Sequence, residues 1–68
     1  MAVNYEYNYA EIDPETNMCI GVYTGTIPSE NPYWVEVPYY NDEYMLKYYN
    51  WDDGKFYYDA EYTQEFVL

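Results

Sequence analysis

Tyr48-Tyr49-Asn50-Trp51-Asp52-Asp53-Gly54-Lys55-Phe56-Tyr57-Tyr58 consists of two aromatic runs separated by an acidic turn that ends in glycine. An Asp-Gly pair suits the centre of a type I′ turn, which needs positive φ twice, and aromatic residues on either side favour extended chain. The stretch therefore predicts a β-hairpin. With Asp53 and Gly54 as a two-residue loop, Asp52 faces Lys55, Trp51 faces Phe56 and Tyr49 faces Tyr58. One face then carries four rings in cross-strand contact, and the other carries Tyr48, Asn50 and Tyr57 beside an Asp52/Lys55 charge pair. A three-residue loop, Asp52 to Gly54 with a bulge, is the competing register and shifts the pairing by one residue.

Upstream, Tyr5-Glu6-Tyr7-Asn8-Tyr9 alternates strictly, so Tyr5, Tyr7 and Tyr9 share one side of a first strand. Asp13-Pro14-Glu15-Thr16-Asn17 supplies a turn, and Met18-Cys19-Ile20-Gly21-Val22-Tyr23-Thr24 reads as a second strand. A five-residue loop makes Glu11 face Ile20 and Tyr9 face Val22. Gly21 in mid-strand marks either a bulge or a large ring lying over the backbone. The segment 25–32 has the proline and glycine content of a crossing loop. Residues 33–37 alternate again, with Tyr33, Val35 and Val37 opposite Trp34 and Glu36, and flanking prolines place this strand at a sheet edge. Asn41 is an N-cap for a short acidic helical turn over 41–46. The tail 60–68 alternates as a frayed or partner-dependent final strand, with a terminal helix as the lesser option. The expectation is one domain, mainly β: a small antiparallel sheet of four to five strands built from hairpins 5–24 and 47–59, with one helical turn. The two halves match too poorly to be a repeat.

With 68 residues the chain is one small domain. A domain of this size buries only about 60% of its unfolded surface. Cys19 is the only cysteine and histidine is absent, so neither an internal disulfide nor a Cys/His zinc site supplements the core. What remains is dense aromatic packing or association with another chain. Thirteen tyrosines, two tryptophans and two phenylalanines suit both. Tyrosine buries a large ring while keeping a hydroxyl for water or a partner, and interfaces are rich in it. Thirteen acidic residues against Lys47 and Lys55 give a net charge of −11, a surface that repels phosphate backbones and anionic membranes. Direct binding to nucleic acid or membrane is therefore not expected, and a basic protein partner is. The same charge also serves solubility. The N-terminus lacks a signal peptide's basic and apolar regions, and no apolar run has membrane-spanning length, so synthesis in the cytoplasm is expected.

Carboxylates are too evenly scattered to single out a catalytic pair, and a thin sheet offers little volume for a cleft. Asp52-Asp53-Gly54 lacks the alternating ligands and distal glutamate of a calcium loop, so turn chemistry explains it better. Cys19, in an apolar run without a histidine partner, reads as a structural thiol. No cofactor, metal or catalytic residue is assigned. The partner-binding candidates are aromatic: Trp34, Tyr49, Trp51, Phe56, Tyr58, Tyr5, Tyr7 and Tyr9. Rings beside Asp and Asn also suit glycans, although tryptophans in so short a chain serve more often as core or interface anchors.

The order Tyr9-Ala10-Glu11-Ile12-Asp13, Met18-Cys19-Ile20-Gly21-Val22, Trp34-Val35-Glu36-Val37-Pro38, an acidic turn, then Lys47-Tyr48-Tyr49-Asn50 to Gly54-Lys55-Phe56-Tyr57 resembles small modules of tailed bacteriophages. In those modules a "YAxID…xCxxV" hairpin precedes a proline-valine strand and a "GKxYxx…DGxF/W" hairpin. The likeness covers most of residues 9 to 58 and rests on short motifs. It departs where Leu46 replaces the glycine before the lysine. What it implies is a non-enzymatic, tail-associated structural role through attachment to other virion chains or to itself, with the virion as final location. The charge supports an alternative, a phage-encoded anti-defence inhibitor or DNA mimic docking on a basic groove of a host nucleic-acid-binding protein.

Self-repulsion has a direct consequence for stability. Raising salt from about 0.01 M to 0.15 M shortens the screening length from about 30 Å to about 8 Å, so Tm should rise. Thermal melts at the two salt concentrations check this, and a flat or falling Tm contradicts it.

Overall fold

The computed structural model describes residues 7–68. Five short strands make the chain mainly β: β1 (Tyr7–Ile12), β2 (Cys19–Gly25), β3 (Trp34–Glu36), β4 (Tyr48–Asn50) and β5 (Lys55–Tyr57). They form two antiparallel sheets, one ordered β2-β1-β3 and the other β4-β5. β3 lies at an edge, as the prolines flanking it require. A 3-10 turn, Asp42–Tyr44, is capped by Asn41, whose Oδ1 accepts the Glu43 N–H at 2.8 Å.

The two sheets are joined through the backbone. The Cys19 N–H donates to the Lys47 carbonyl at 2.7 Å, the Leu46 N–H to the Cys19 carbonyl at 2.9 Å, and the Tyr49 N–H to the Asn17 carbonyl at 2.8 Å. The end of the first turn thus lies alongside the start of β4, bridged at Met18 and Tyr48. The core fills the angle between the sheets: Ala10, Ile12 and Cys19 from the first hairpin, Val37 and Tyr44 from the connection, and Phe56 and Phe66 from the second half. Val22, Val35 and Tyr49 pack around it.

Two expectations about register and one about the tail are corrected. Across β1 and β2, Glu11 faces Gly21 rather than Ile20, and Tyr9 faces Tyr23 rather than Val22. Ile12 pairs with Cys19 at the mouth of the loop, after which the register slips by one residue, leaving Ile20 as an exposed extra residue. The slip moves Val22 beside Ala10 on the core side and leaves Tyr9 with Tyr23 on the other. In the second hairpin Asn50 faces Lys55 and Tyr49 faces Phe56, so the loop is Trp51 to Gly54 and neither shorter loop forms. The cause is side-chain capping. Asn50 Oδ1 accepts the Asp52 N–H at 2.9 Å, and Asp53 Oδ1 accepts the Lys55 N–H at 2.8 Å. Within the turn only Gly54 has positive φ, whereas a type I′ turn needs two such residues. Third, the tail finds its strand partner within the chain. Glu65 bridges to Tyr57, the Phe66 N–H donates to the Phe56 carbonyl at 2.8 Å, and the Phe66 ring is buried. Asp59 holds the intervening turn by accepting from the Thr63 and Gln64 N–H groups.

Gly21 satisfies both readings of a mid-strand glycine. It sits at the register slip, and the Tyr23 ring lies over it, where an added Cβ would come within 2.6 Å of the Tyr23 hydroxyl oxygen and 2.9 Å of ring carbons. Tyr23 cannot swing away freely. It stacks on Trp34 with centroids 4.4 Å apart, and its hydroxyl donates to Glu11 Oε1 at 2.8 Å. Gly21→Ala should therefore cost about 1–3 kcal/mol, the usual range for overpacking. Denaturant melts of the single and double variants should show most of that cost vanishing in a Tyr23→Ala background. An equal cost in both backgrounds would place the strain elsewhere.

Candidate functional site

The eight aromatic residues singled out from the sequence do not form one face. Tyr5 lies outside the described residues. Tyr7 is half-buried on β1. Tyr9 is only 9% exposed, lying near Trp34 at 6.1 Å between centroids, and its hydroxyl accepts the Ser29 N–H at 3.0 Å. Trp34 is half-buried between Tyr9 and Tyr23, and its Nε1 is buried without a hydrogen-bond partner among the described residues. Phe56 is 8% exposed, packed against Tyr44 at 4.8 Å and Tyr49 at 4.9 Å. Tyr9 and Phe56 are thus covered by the chain itself and are withdrawn from any docking surface. Tyr58 is exposed, with the Lys47 ammonium 5.2 Å from its ring centroid and 4.9 Å from that of Phe66.

Trp51 is the side chain that the four-residue loop sets apart. Displaced from the ladder, it is 45% exposed and nevertheless held. Its Nε1–H donates to Asn17 Oδ1 at 3.0 Å, and its ring meets Tyr49 at 4.8 Å and Tyr33 at 6.4 Å, both nearly perpendicular to it. Tyr33, 46% exposed, is anchored by its backbone: its N–H donates to Asn31 Oδ1 at 2.9 Å, and its carbonyl accepts the Ile12 N–H at 2.8 Å. Asn17 has φ of 64°, a left-handed conformation that asparagine tolerates better than most residues, and its Nδ2 donates to the Tyr62 hydroxyl at 3.1 Å. The turns 13–18 and 51–54 therefore meet around Asn17 and, with Tyr33 beside them, present two ordered, exposed rings. Asp52 and Glu15, one in each turn, are exposed, and their carboxylates accept no hydrogen bond from the described residues.

Asn17 and Tyr33 are the parts of this corner that the sequence did not reveal. Asn17 reads as an ordinary turn residue and Tyr33 as an edge-strand residue, because their link to Trp51 spans a contact between turns with no local signature. A second opening, a cleft of about 370 Å³, has Tyr44, Phe56 and Phe66 at its floor and Tyr39, Val67 and Leu68 at its rim. Among the described residues no group of three or more acidic or cysteine side chains is placed to hold a metal ion, and no helix is long and apolar enough to cross a membrane. Burial pushes the Cys19 thiol above its ordinary range, disfavouring the thiolate. Comparison of the chain with protein-family models, curated proteins and solved structures finds no match.

One electrostatic pair borders the corner. The Tyr57 hydroxyl donates to Asp53 Oδ2, which lowers the Asp53 carboxyl and raises the Tyr57 phenol to about 12. The stabilisation from the raised phenol is complete below the unfolded value near 10 and is lost as pH rises through about 12. That from the lowered carboxyl is present above its unfolded value near 3.8 and is lost as pH falls through the depressed one. Site-labelled NMR of Tyr57 should give an ionisation midpoint near 12 that falls towards 10 in Asp53→Asn. A midpoint unmoved by the substitution would show that Asp53 does not hold the phenol.

Proposed function

We propose that this chain is a non-enzymatic protein–protein interaction module that docks through the ordered aromatic corner of Trp51 and Tyr33. The observation that carries the reading is that Trp51 is nearly half exposed while its ring orientation is set by a hydrogen bond and two ring contacts. A preorganised, exposed tryptophan loses little freedom when a partner covers it, which is the property of an interface anchor. Exposed Tyr39, Tyr40 and Tyr58 add to a surface carrying more ring area than a lone small domain needs. The net charge of −11 opposes self-association and favours a partner of opposite sign.

The setting in this proposal is a tail-associated virion protein of a bacteriophage, attached to another virion chain. The likeness over residues 9–58 supports it. Leu46, the departure from that pattern, has a φ of 66°, a conformation glycine adopts more readily than leucine. The net charge favours a second reading, an inhibitor made in the host cytoplasm that seats on a basic groove of a nucleic-acid-binding protein. Light scattering of the purified chain, alone and mixed with the structural proteins encoded beside it, should show a heterologous complex lost in Trp51→Ala. A monomer that leaves all of them unchanged would overturn the tail-associated role. Capture of a host nuclease, released when salt is raised to about 0.5 M, would favour the inhibitor.

A further inference from the structure

We propose that the Trp51–Tyr33 corner is a cation-binding site that receives an arginine side chain from a basic segment of the partner. This rests on the docking reading above and names the chemistry of its occupant. Ring faces carry negative quadrupole potential, and a cation within about 6 Å of a tryptophan centroid is attracted, more strongly than over other rings. Trp51 and Tyr33 supply two exposed rings in contact, crossed at 82°. Because the indole N–H is tied to Asn17 Oδ1, the ring is presented in one orientation. The two turns that meet here also carry exposed carboxylates, Asp52 and Glu15, within a chain of net charge −11.

The chain already uses this chemistry once. Lys47 places its ammonium over the Tyr58 and Phe66 rings while donating to the Glu43 carbonyl at 3.0 Å. Lys55 is 3.9 Å from Glu65. Both lysines are therefore engaged away from Trp51, and the corner lacks a cation of the chain's own side chains. A second copy is excluded as the occupant, because the sequence contains no arginine and two such acidic chains repel. Arginine fits better than lysine, since the planar guanidinium stacks flat on an aromatic face and sheds water more readily than an ammonium.

Hexaarginine and hexalysine peptides test this by NMR titration of the Trp51 indole N–H signal at low salt. Hexaarginine should shift that signal and bind more tightly than hexalysine, by at most the roughly two- to five-fold that one exposed cation–π contact is worth. Trp51→Ala should abolish the preference while leaving the charge-driven affinity for both peptides. Trp51→Leu, which keeps apolar bulk at the site without a π face, should do the same and separates lost stacking from lost packing. Equal binding of the two peptides, or an arginine preference that survives both substitutions, would overturn the arginine site. Neither result would touch the docking reading, which the light-scattering experiment decides separately. A larger indole shift with chitotriose than with hexaarginine would also overturn it, assigning the corner to a sugar.

Discussion

The structure depends on the short backbone junction at which Asn17, Met18 and Cys19 run beside Leu46 to Tyr49. The two-stranded sheet β4-β5 is too small to be stable alone, since an isolated hairpin is at best marginal in water. The junction removes that difficulty by laying the start of β4 against the chain that enters β2. Phe56 and Phe66 are thereby carried onto Ala10, Ile12 and Cys19, and one core forms where neither hairpin has one. The backbone cost of this crossing falls on Asn17 and Leu46, both held at positive φ. Asparagine carries that conformation easily, whereas leucine costs about 1–2 kcal/mol. Leu46 is also largely exposed, so its side chain recovers little in return. The same junction creates the aromatic corner, since the Asn17 whose carbonyl accepts from Tyr49 also orients Trp51.

Much of this fold was legible in the sequence because alternation, proline and turn chemistry are local. The strands around Tyr9, Val22, Val35, Tyr49 and Phe56, the edge position of β3 and the cap at Asn41 all follow from residues within a few positions of one another. The registers were less legible. A bulge at Ile20 and an Asn50/Asp53 capping pair change a strand pairing by one or two residues, and each depends on which of several acceptors captures a backbone N–H. Alternation also says which residues share a face without saying which face is inside. Ala10 and Ile12 are more deeply buried than Tyr9, because the space on their side of β1 is filled by large rings arriving from residues 44, 56 and 66. The candidate site shows the same division. Trp51, Tyr49 and Tyr58 were found as ring-bearing hairpin residues, while Tyr9 and Phe56 share that local pattern and are buried by segments distant in sequence.

The remaining question is how so acidic a chain satisfies its carboxylates with only two lysines. Neutral donors reach four of them, and most of the others are exposed to water. Tyr23 donates to Glu11, Tyr57 to Asp53 and Thr63 to Asp59, while backbone N–H groups reach Asp13, Asp53 and Asp59. Such bonds order turns and fix tyrosine rings without cancelling charge, unlike the salt bridges a more basic chain would form. The rings are positioned and the negative field is kept. In the proposed docking, an approaching basic surface would meet long-range attraction first and ordered aromatic faces second, the order in which electrostatic steering sets encounter and desolvated rings set residence. A composition rich in tyrosine and aspartate and poor in lysine thus orders its turns with neutral hydrogen bonds while leaving its negative charge uncancelled.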